Sequence, residues 1–317
     1  MTDKSNNQGR AYEYICLTTL EAEVRKVRDV AVLKDTHFEA ALTAWNSISP
    51  ELQRTLVKSA KAAVLTIFDC EPLILEDGND ALTLLIQSDK KGEEGDVRDI
   101  LIIRRDIHWE IGLSVKHNHF AVKHSRLSNK IDFGEKWFGI KCSEKYWDTI
   151  NPIFSYLASE KDKGLAWRDL PDKEGQVYIP LLDAFVEEVK RSNALNPDVP
   201  KKLVEYLLGL FDFYKVISVD KKDLTQIQTY NLRGTLNKSG VNKPKFIVPR
   251  VFLPTRIVHI GIKPNSTNTV EVYMDEGWQF SFRIHNASTK VETSLKFDIQ
   301  LIGMPTTIFM IDCKWNK

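Results

Sequence analysis

A chain of 317 residues with 43% hydrophobic and 27% charged residues can bury a large core and is too apolar to be disordered. Its formal net charge of +1 does not announce a nucleic-acid partner, but it leaves room for a local basic groove. Four scattered cysteines, Cys16, Cys70, Cys142 and Cys313, form no CxxC knuckle and read as buried free thiols. No stretch approaches the ~20 apolar residues of a membrane span, and residues 1–10 carry no apolar signal core. A soluble cytoplasmic protein of one large or two ordinary domains is expected.

Residues 1–10 read as a polar lead-in. Leu17, Leu20, Val24 and Val27 then recur at helical steps and predict a helix over 11–27. Further helices are predicted over 37–47 and from Ser49-Pro50 to about 68, where a cap residue precedes proline. The period then changes. Strands are predicted over 81–88, 99–104 and 109–116, with the charged, glycine-bearing stretch 89–96 as a connector. Asn118 is placed to cap a helix through residue 125. The polar stretch 160–176 marks a boundary between 1–160 and 161–317. Helices near 178–192 and 199–214 follow. Strands are predicted over 246–251, 256–262, 270–274, 278–286, 291–302 and 307–313. The fold class expected is an α/β core, a mixed central sheet flanked by helices, with a C-terminal α+β, strand-rich region.

One short constellation carries chemistry. Along 109–116, Ile111, Leu113 and Val115 face one way, and Glu110, Gly112, Ser114 and Lys116 the other. Asp99 opens the preceding aliphatic strand, and a turn near Arg105-Asp106 brings it beside Lys116. An aspartate followed after a gap by a lysine at the end of a strand is the layout of PD-(D/E)xK nucleases. There, carboxylates hold magnesium and the lysine serves the phosphate. The departure is Ser114, which stands where the second acid belongs. Glu110 is four residues away, roughly 13 Å along a strand, too far to replace it directly. Glu13 is the better second carboxylate. It shares the stripe of Leu17, Leu20 and Val24, and a carboxylate on such a stripe is costly unless something binds it. Each residue alone has an ordinary reading: Asp99 as a strand-edge residue, Lys116 as a solvated lysine, Glu13 as a first-turn glutamate. Their order and spacing together point to a metal site.

Residues 116–130 hold Lys116, Lys123, Arg126 and Lys130 with His117, His119 and His124 and no acid. Beside a nuclease strand, this run suits DNA-backbone contact; by itself it is a solvated basic face. Three histidines raise zinc, but no suitable partner sits nearby. In 278–286 the side chains of Arg283 and His285 alternate with Phe282 and Ile284, and Lys296 lies on a similar strand. The ordinary reading is a half-solvated sheet, and the sharper one a polar face reading bases. Arg233, in Asn231-Leu232-Arg233-Gly234-Thr235, sits on a candidate recognition loop. A rival set of Glu292, Lys296 and Asp298 has the wrong spacing for the nuclease pattern.

The segments NQGRAYEYICL, WEIGLSVKHNHFAVKHSRLS and FRIHNASTKVETSLKFDIQLIGMP resemble the HaeIII family of restriction endonucleases. The resemblance implies a bacterial, magnesium-dependent enzyme that cuts double-stranded DNA at GGCC, between G and C, leaving blunt ends. It carries over to Asp99, Ser114-Val115-Lys116 and Glu13, with Asp99 and Glu13 as metal ligands. Lys123, Arg126, His119, Arg233, Arg283 and Lys296 are the candidate DNA contacts. A palindromic target favours a homodimer, with a monomer nicking each strand in turn as the alternative. A cognate methyltransferase is expected in the host. Two other readings stay open: a DNA-binding protein with a decayed site, and a nuclease that reads repair or junction structures.

Overall fold

The computed structural model describes residues 2–88, 95–119 and 122–315, with side chains from residue 7 onward. The chain forms two compact units. The first comprises Met1–Phe120, Gly209–Val251 and Thr306–Lys317; the second comprises Ala121–Leu208 and Phe252–Pro305. The division therefore does not fall at residue 160. Both units are assembled from separated segments, which a reading along the chain does not reveal.

In the first unit, α1 (Thr2–Val24), α2 (Thr36–Ser47) and α3 (Pro50–Cys70) accompany a seven-stranded sheet whose first strand lies between α1 and α2. Its order is β1 (Val30–Val32), β2 (Leu82–Ile86), β3 (Ile100–Arg104), β4 (Trp109–His117), β6 (Phe213–Val219), β7 (Leu224–Tyr230) and β12 (Met310–Lys314). β1–β2 and β4–β6 are parallel and the other pairs antiparallel, so the sheet is mixed. Asp35 caps α2 by accepting from the amides of His37 and Phe38, and Ser49 caps α3 ahead of Pro50. Of the expected stripe, Leu17, Leu20 and Val24 pack with Ile111, Leu113 and Val115 in one core, while Val27 lies past the end of α1 and is exposed. α1 begins at Thr2 rather than after residue 10.

The second unit holds α4 (Phe133–Phe138), α5 (Glu144–Asp162), α6 (Ile179–Leu195) and α7 (Val199–Leu208). They accompany a five-stranded antiparallel sheet: β5 (Lys123–Leu127), β11 (Leu295–Gly303), β10 (Gln279–His285), β9 (Thr269–Met274) and β8 (Ile257–Ile262). Phe280, Phe282, Ile284, Leu295, Phe297 and Ile299 are fully buried, as their alternation predicts. Phe282 and Phe297 meet Phe185 of α6 in an aromatic cluster.

Several expectations are corrected. The helix expected from Asn118 to 125 is not one. Asn118 has a left-handed φ of 51°, residues 120 and 121 lie outside the described residues, and β5 pairs with β11. Ser125 and Leu127 point inward while His124 and Arg126 point outward, a two-residue period that the basic letters mask. The helix expected over 199–214 stops at Leu208, where Gly209 takes a φ of 88° and a strand starts at Phe213. Residues 246–251 form no strand; the Val251 amide donates to the Asn231 carbonyl and the Val248 amide to Asn237 Oδ1. Of the connector 89–96, only Gly95 and Asp96 are described.

Candidate active site

β3 and β4 form the expected hairpin, with Arg104 opposite Trp109 and Ile100 opposite Leu113. The Asp99 amide donates to the Leu113 carbonyl, which extends the ladder one step and sets Asp99 beside Ser114. Three donors converge on Asp99 Oδ2: the Val115 amide at 2.6 Å, Lys116 Nζ at 2.9 Å and Ser114 Oγ at 3.3 Å. Asp99 and Lys116 keep 23% and 31% of their side-chain surface exposed, so the pair is fixed and still reachable from solvent. Ser114 occupies the acid slot as a small donor, nearly buried at 4% exposure.

Glu13 lies in the middle of α1, which begins at Thr2, so it is not a first-turn glutamate; it is half-buried, one turn before Cys16. Burial pushes the Cys16 thiol up, and the negative charges of Glu13 and Asp99 add to the shift. Glu110 is committed elsewhere, in an ion pair with Arg98 at 2.8 Å. Arg98 also pairs with Asp96 and lies over the Phe211 ring at 4.1 Å. Arg98 lies against Gly112, where a Cβ would strike its side chain.

The donor set is oxygen-rich and suits a hard cation that retains water ligands. It does not suit zinc, since Cys16 is buried with its thiol held protonated, and His117 is bound to Asp220 at 2.6 Å. Among the described residues, no three His, Cys, Asp or Glu side chains form a closed metal cage. A carboxylate such as Asp99, still reachable from solvent, suits magnesium, which binds through few protein ligands and keeps several waters.

Lys215 is a site residue that sequence reading missed. On β6 it stands opposite Ser114 in the parallel register. It is 5% exposed. Burial pushes its ammonium down to about 8, with Lys116 acting the same way and Asp99 against it. The signal was a lone lysine in Phe213-Tyr214-Lys215-Val216-Ile217, hidden because the helix pattern was carried past Gly209.

The expected DNA contacts are dispersed. His119 is exposed past the end of β4. Lys123 donates to the Tyr206 carbonyl at 2.8 Å and lies over its ring at 4.0 Å. Arg126 bonds Ser294 Oγ at 2.8 Å, and Arg283 pairs with Asp298 at 3.0 Å. Lys296 sits between Arg126 and His285 in register. Arg233, although beyond residue 160, falls in the first unit, and donates to the Leu210 carbonyl. Its loop is tied to Asp212 through the Arg233 and Thr235 amides, both at 2.7 Å. Glu292 and Asp298 are engaged with different arginines, so the rival constellation does not assemble.

The chain was compared with known proteins. It is 52% identical over 319 residues to the type II restriction enzyme HaeIII of Haemophilus aegyptius, covering 100% of both chains. No solved structure matches it. The family model described as HaeIII restriction endonuclease matches residues 9–305, which takes in every residue of the Asp99 site, and the chain belongs to that family of restriction endonucleases.

Proposed function

We propose that this enzyme is a magnesium-dependent endonuclease of the PD-(D/E)xK type that cuts double-stranded DNA at GGCC, between G and C, to leave blunt ends. The full-length 52% identity to HaeIII supports the target and the cut position. The observation that carries the site is the convergence of Ser114, Val115 and Lys116 on Asp99.

Asp99 and Glu13 hold the metal. Bound magnesium supplies an acidified water and positive charge at the phosphate. The Val115 amide and Ser114 hydroxyl fix the Asp99 carboxylate, so its orientation is set before DNA arrives. Lys116 balances Asp99 in the free protein and offers its ammonium to the scissile phosphate or the attacking water. Lys123, Arg126 and His119 serve the DNA backbone, and Arg233, Arg283 and Lys296 the bases. The enzyme acts as a dimer on its two-fold target, in a host that protects its own sites with a methyltransferase. No helix among the described residues is long and apolar enough to cross a membrane. Ser114 in the acid slot is the one feature that favours a second reading, a DNA-binding protein without hydrolysis.

The test is a digest of long duplex DNA with magnesium and with a chelator. Discrete fragments only with magnesium, with ends mapping within GGCC, are expected. Intact DNA in both lanes from folded protein refutes the nuclease and favours the binding protein.

A further inference from the structure

β7 ends at Tyr230, and residues 231–251, all among the described residues, then run in neither helix nor strand. Loops beyond about 15 residues without regular structure are uncommon in a compact unit and are either disordered or functional. This one is held along its whole length. Leu232, Leu236, Val248 and Val251 are buried, and Leu236 and Val248 belong to the core of the first unit. Three carboxylates of the surrounding body accept its amides: Asp212 from Arg233 and Thr235, Glu71 from Asn237, and Glu76 from Asn242. Asn237 donates to the Cys70 and Phe246 carbonyls, and its Oδ1 accepts from the Val248 amide. The Val251 amide closes the loop on the Asn231 carbonyl. At Gly240 the backbone runs so near Glu76 and Leu73 that a Cβ would strike both.

The acids grip the backbone from within, and the outward charges are all of the other sign. Residues 231–251 contain Arg233, Lys238, Lys243, Lys245 and Arg250 and no aspartate or glutamate, in a chain whose basic and acidic residues balance at 44 to 43. All five are exposed. Arg233 and Lys245 are engaged, by the Leu210 carbonyl and by Asp69. Lys238, Lys243 and Arg250 present their charge to solvent. Ordering such a backbone costs conformational entropy, and like charges displayed together repel, so folding alone does not account for the arrangement. A polyanion supplies the missing charge. Val241 and Ile247, 94% and 84% exposed, stand among these cations, and apolar side chains so placed suit a DNA groove. The root of the loop is close to the catalytic strand. Tyr230 pairs with Phe213 across β6–β7, and Phe213 with Gly112 across β4–β6, two residues from Ser114. Two strand spacings of about 4.8 Å and two residues of about 3.3 Å set the root roughly 12 Å from Ser114. At about 3.4 Å per base step, that distance reaches the phosphates flanking a short target.

We propose that residues 231–251 form a DNA-contacting arm in which Lys238, Lys243 and Arg250 bind backbone phosphates outside the GGCC target. The inference rests on the nuclease reading above and extends it from the cut site to the flanks. Phosphate contacts position a protein without reading sequence, so the arm lengthens the duplex that the enzyme needs and leaves its target unchanged.

The test measures binding in chelator, over a range of salt concentrations, to GGCC duplexes with about two or about twelve flanking base pairs on each side. Wild type is compared with the triple variant K238Q/K243Q/R250Q and with K238R/K243R/R250K. Each lost phosphate contact lowers the salt slope by about 0.9, so the triple glutamine variant should lose about 2–3 units of slope per protomer on the long duplex. Its affinity there should fall at least about tenfold at moderate salt, with little change on the short duplex. The charge-preserving variant should keep the wild-type slope. All three side chains are exposed, so the glutamine variant should melt within about 3 °C of wild type. If it does not fold, K243Q alone carries the comparison, with an expected slope loss of about 0.9. Equal slopes for wild type and the glutamine variant on the long duplex overturn the proposal. So do equal losses on both duplexes, which place the contacts inside the target, and a changed sedimentation coefficient with an unchanged slope, which makes the loop a protein interface. Wild type that neither binds nor cuts GGCC duplexes sinks the nuclease reading itself; cutting that is accompanied by flank-independent binding sinks only the arm.

Discussion

Replacing Glu71 with glutamine should make the protein more stable at alkaline pH and leave it unchanged in acid. Glu71 ends α3 with no exposed surface. Its Oε1 accepts from the Tyr214 hydroxyl at 2.6 Å and the Asn237 amide at 2.5 Å, while Oε2 is buried with no full hydrogen bond among the described residues. Burial pushes the carboxyl up to about 7, against the pull of those two hydrogen bonds. Between its ordinary 4.5 and about 7, the folded protein holds a proton that the unfolded chain has released. Glu71 therefore favours folding most below the lower value, and that contribution is lost as pH rises through the upper one. The interval corresponds to about 3.5 kcal/mol at about 1.4 kcal/mol per pH unit. Glutamine keeps the Oε1 acceptor and carries no charge. At pH 8, E71Q should melt about 7–14 °C above wild type, taking about 2–4 °C per kcal/mol. At pH 4 the two should agree within about 2 °C. Calorimetry from pH 4 to 8 decides it. Parallel Tm curves for the two proteins would refute the buried, protonated carboxyl.

The remaining predictions concern the DNA chemistry. D99N and K116A should each lower cleavage at least about a thousandfold while keeping GGCC affinity within about tenfold, as read by single-turnover digests and gel shifts. Full activity in either removes the site assignment. E13Q should raise the magnesium needed for half-maximal cleavage, whereas E110Q should not, since Glu110 is engaged by Arg98. The reverse pattern means that the second ligand has been misassigned. R126A should weaken binding to all duplexes alike and lower the salt slope by about one. Loss confined to GGCC would make Arg126 a base reader instead.

What was legible in the sequence was periodic. The stripe Leu17, Leu20, Val24 and the alternation in β4 and β10 are consequences of helix and strand geometry, and the structure buries those residues. The Asp99–Lys116 meeting was legible because a short hairpin leaves little choice of register. What failed was non-local. Asp99, Ser114 and Lys215 become a row only because β6 inserts beside β4, almost a hundred residues later, in a parallel pairing that no turn signals. The same long return divides the chain into units made of separate segments. β5 was misread for a different reason: its outward residues His124 and Arg126 are charged, and Ser125 faces inward, so the two-residue period is faint.

The two faces of the first sheet keep stability and chemistry apart, and this can be tested on neighbouring residues of one strand. Tyr214 turns toward the helices and holds Glu71, while Lys215 turns to the opposite face beside Ser114. Both Glu71 and Lys215 are buried ionisable residues, but only Lys215 stands beside the carboxylate–lysine pair. Separation by the sheet predicts additive effects from E71Q and K215M. The double variant should keep the full pH 8 gain in Tm that E71Q gives, added to whatever shift K215M shows alone. Its cleavage should match that of K215M and its metal requirement that of wild type. Coupling above about 0.5 kcal/mol in stability, or cleavage changed tenfold by E71Q alone, would mean that β6 transmits strain between its faces and that Glu71 belongs to the catalytic machinery.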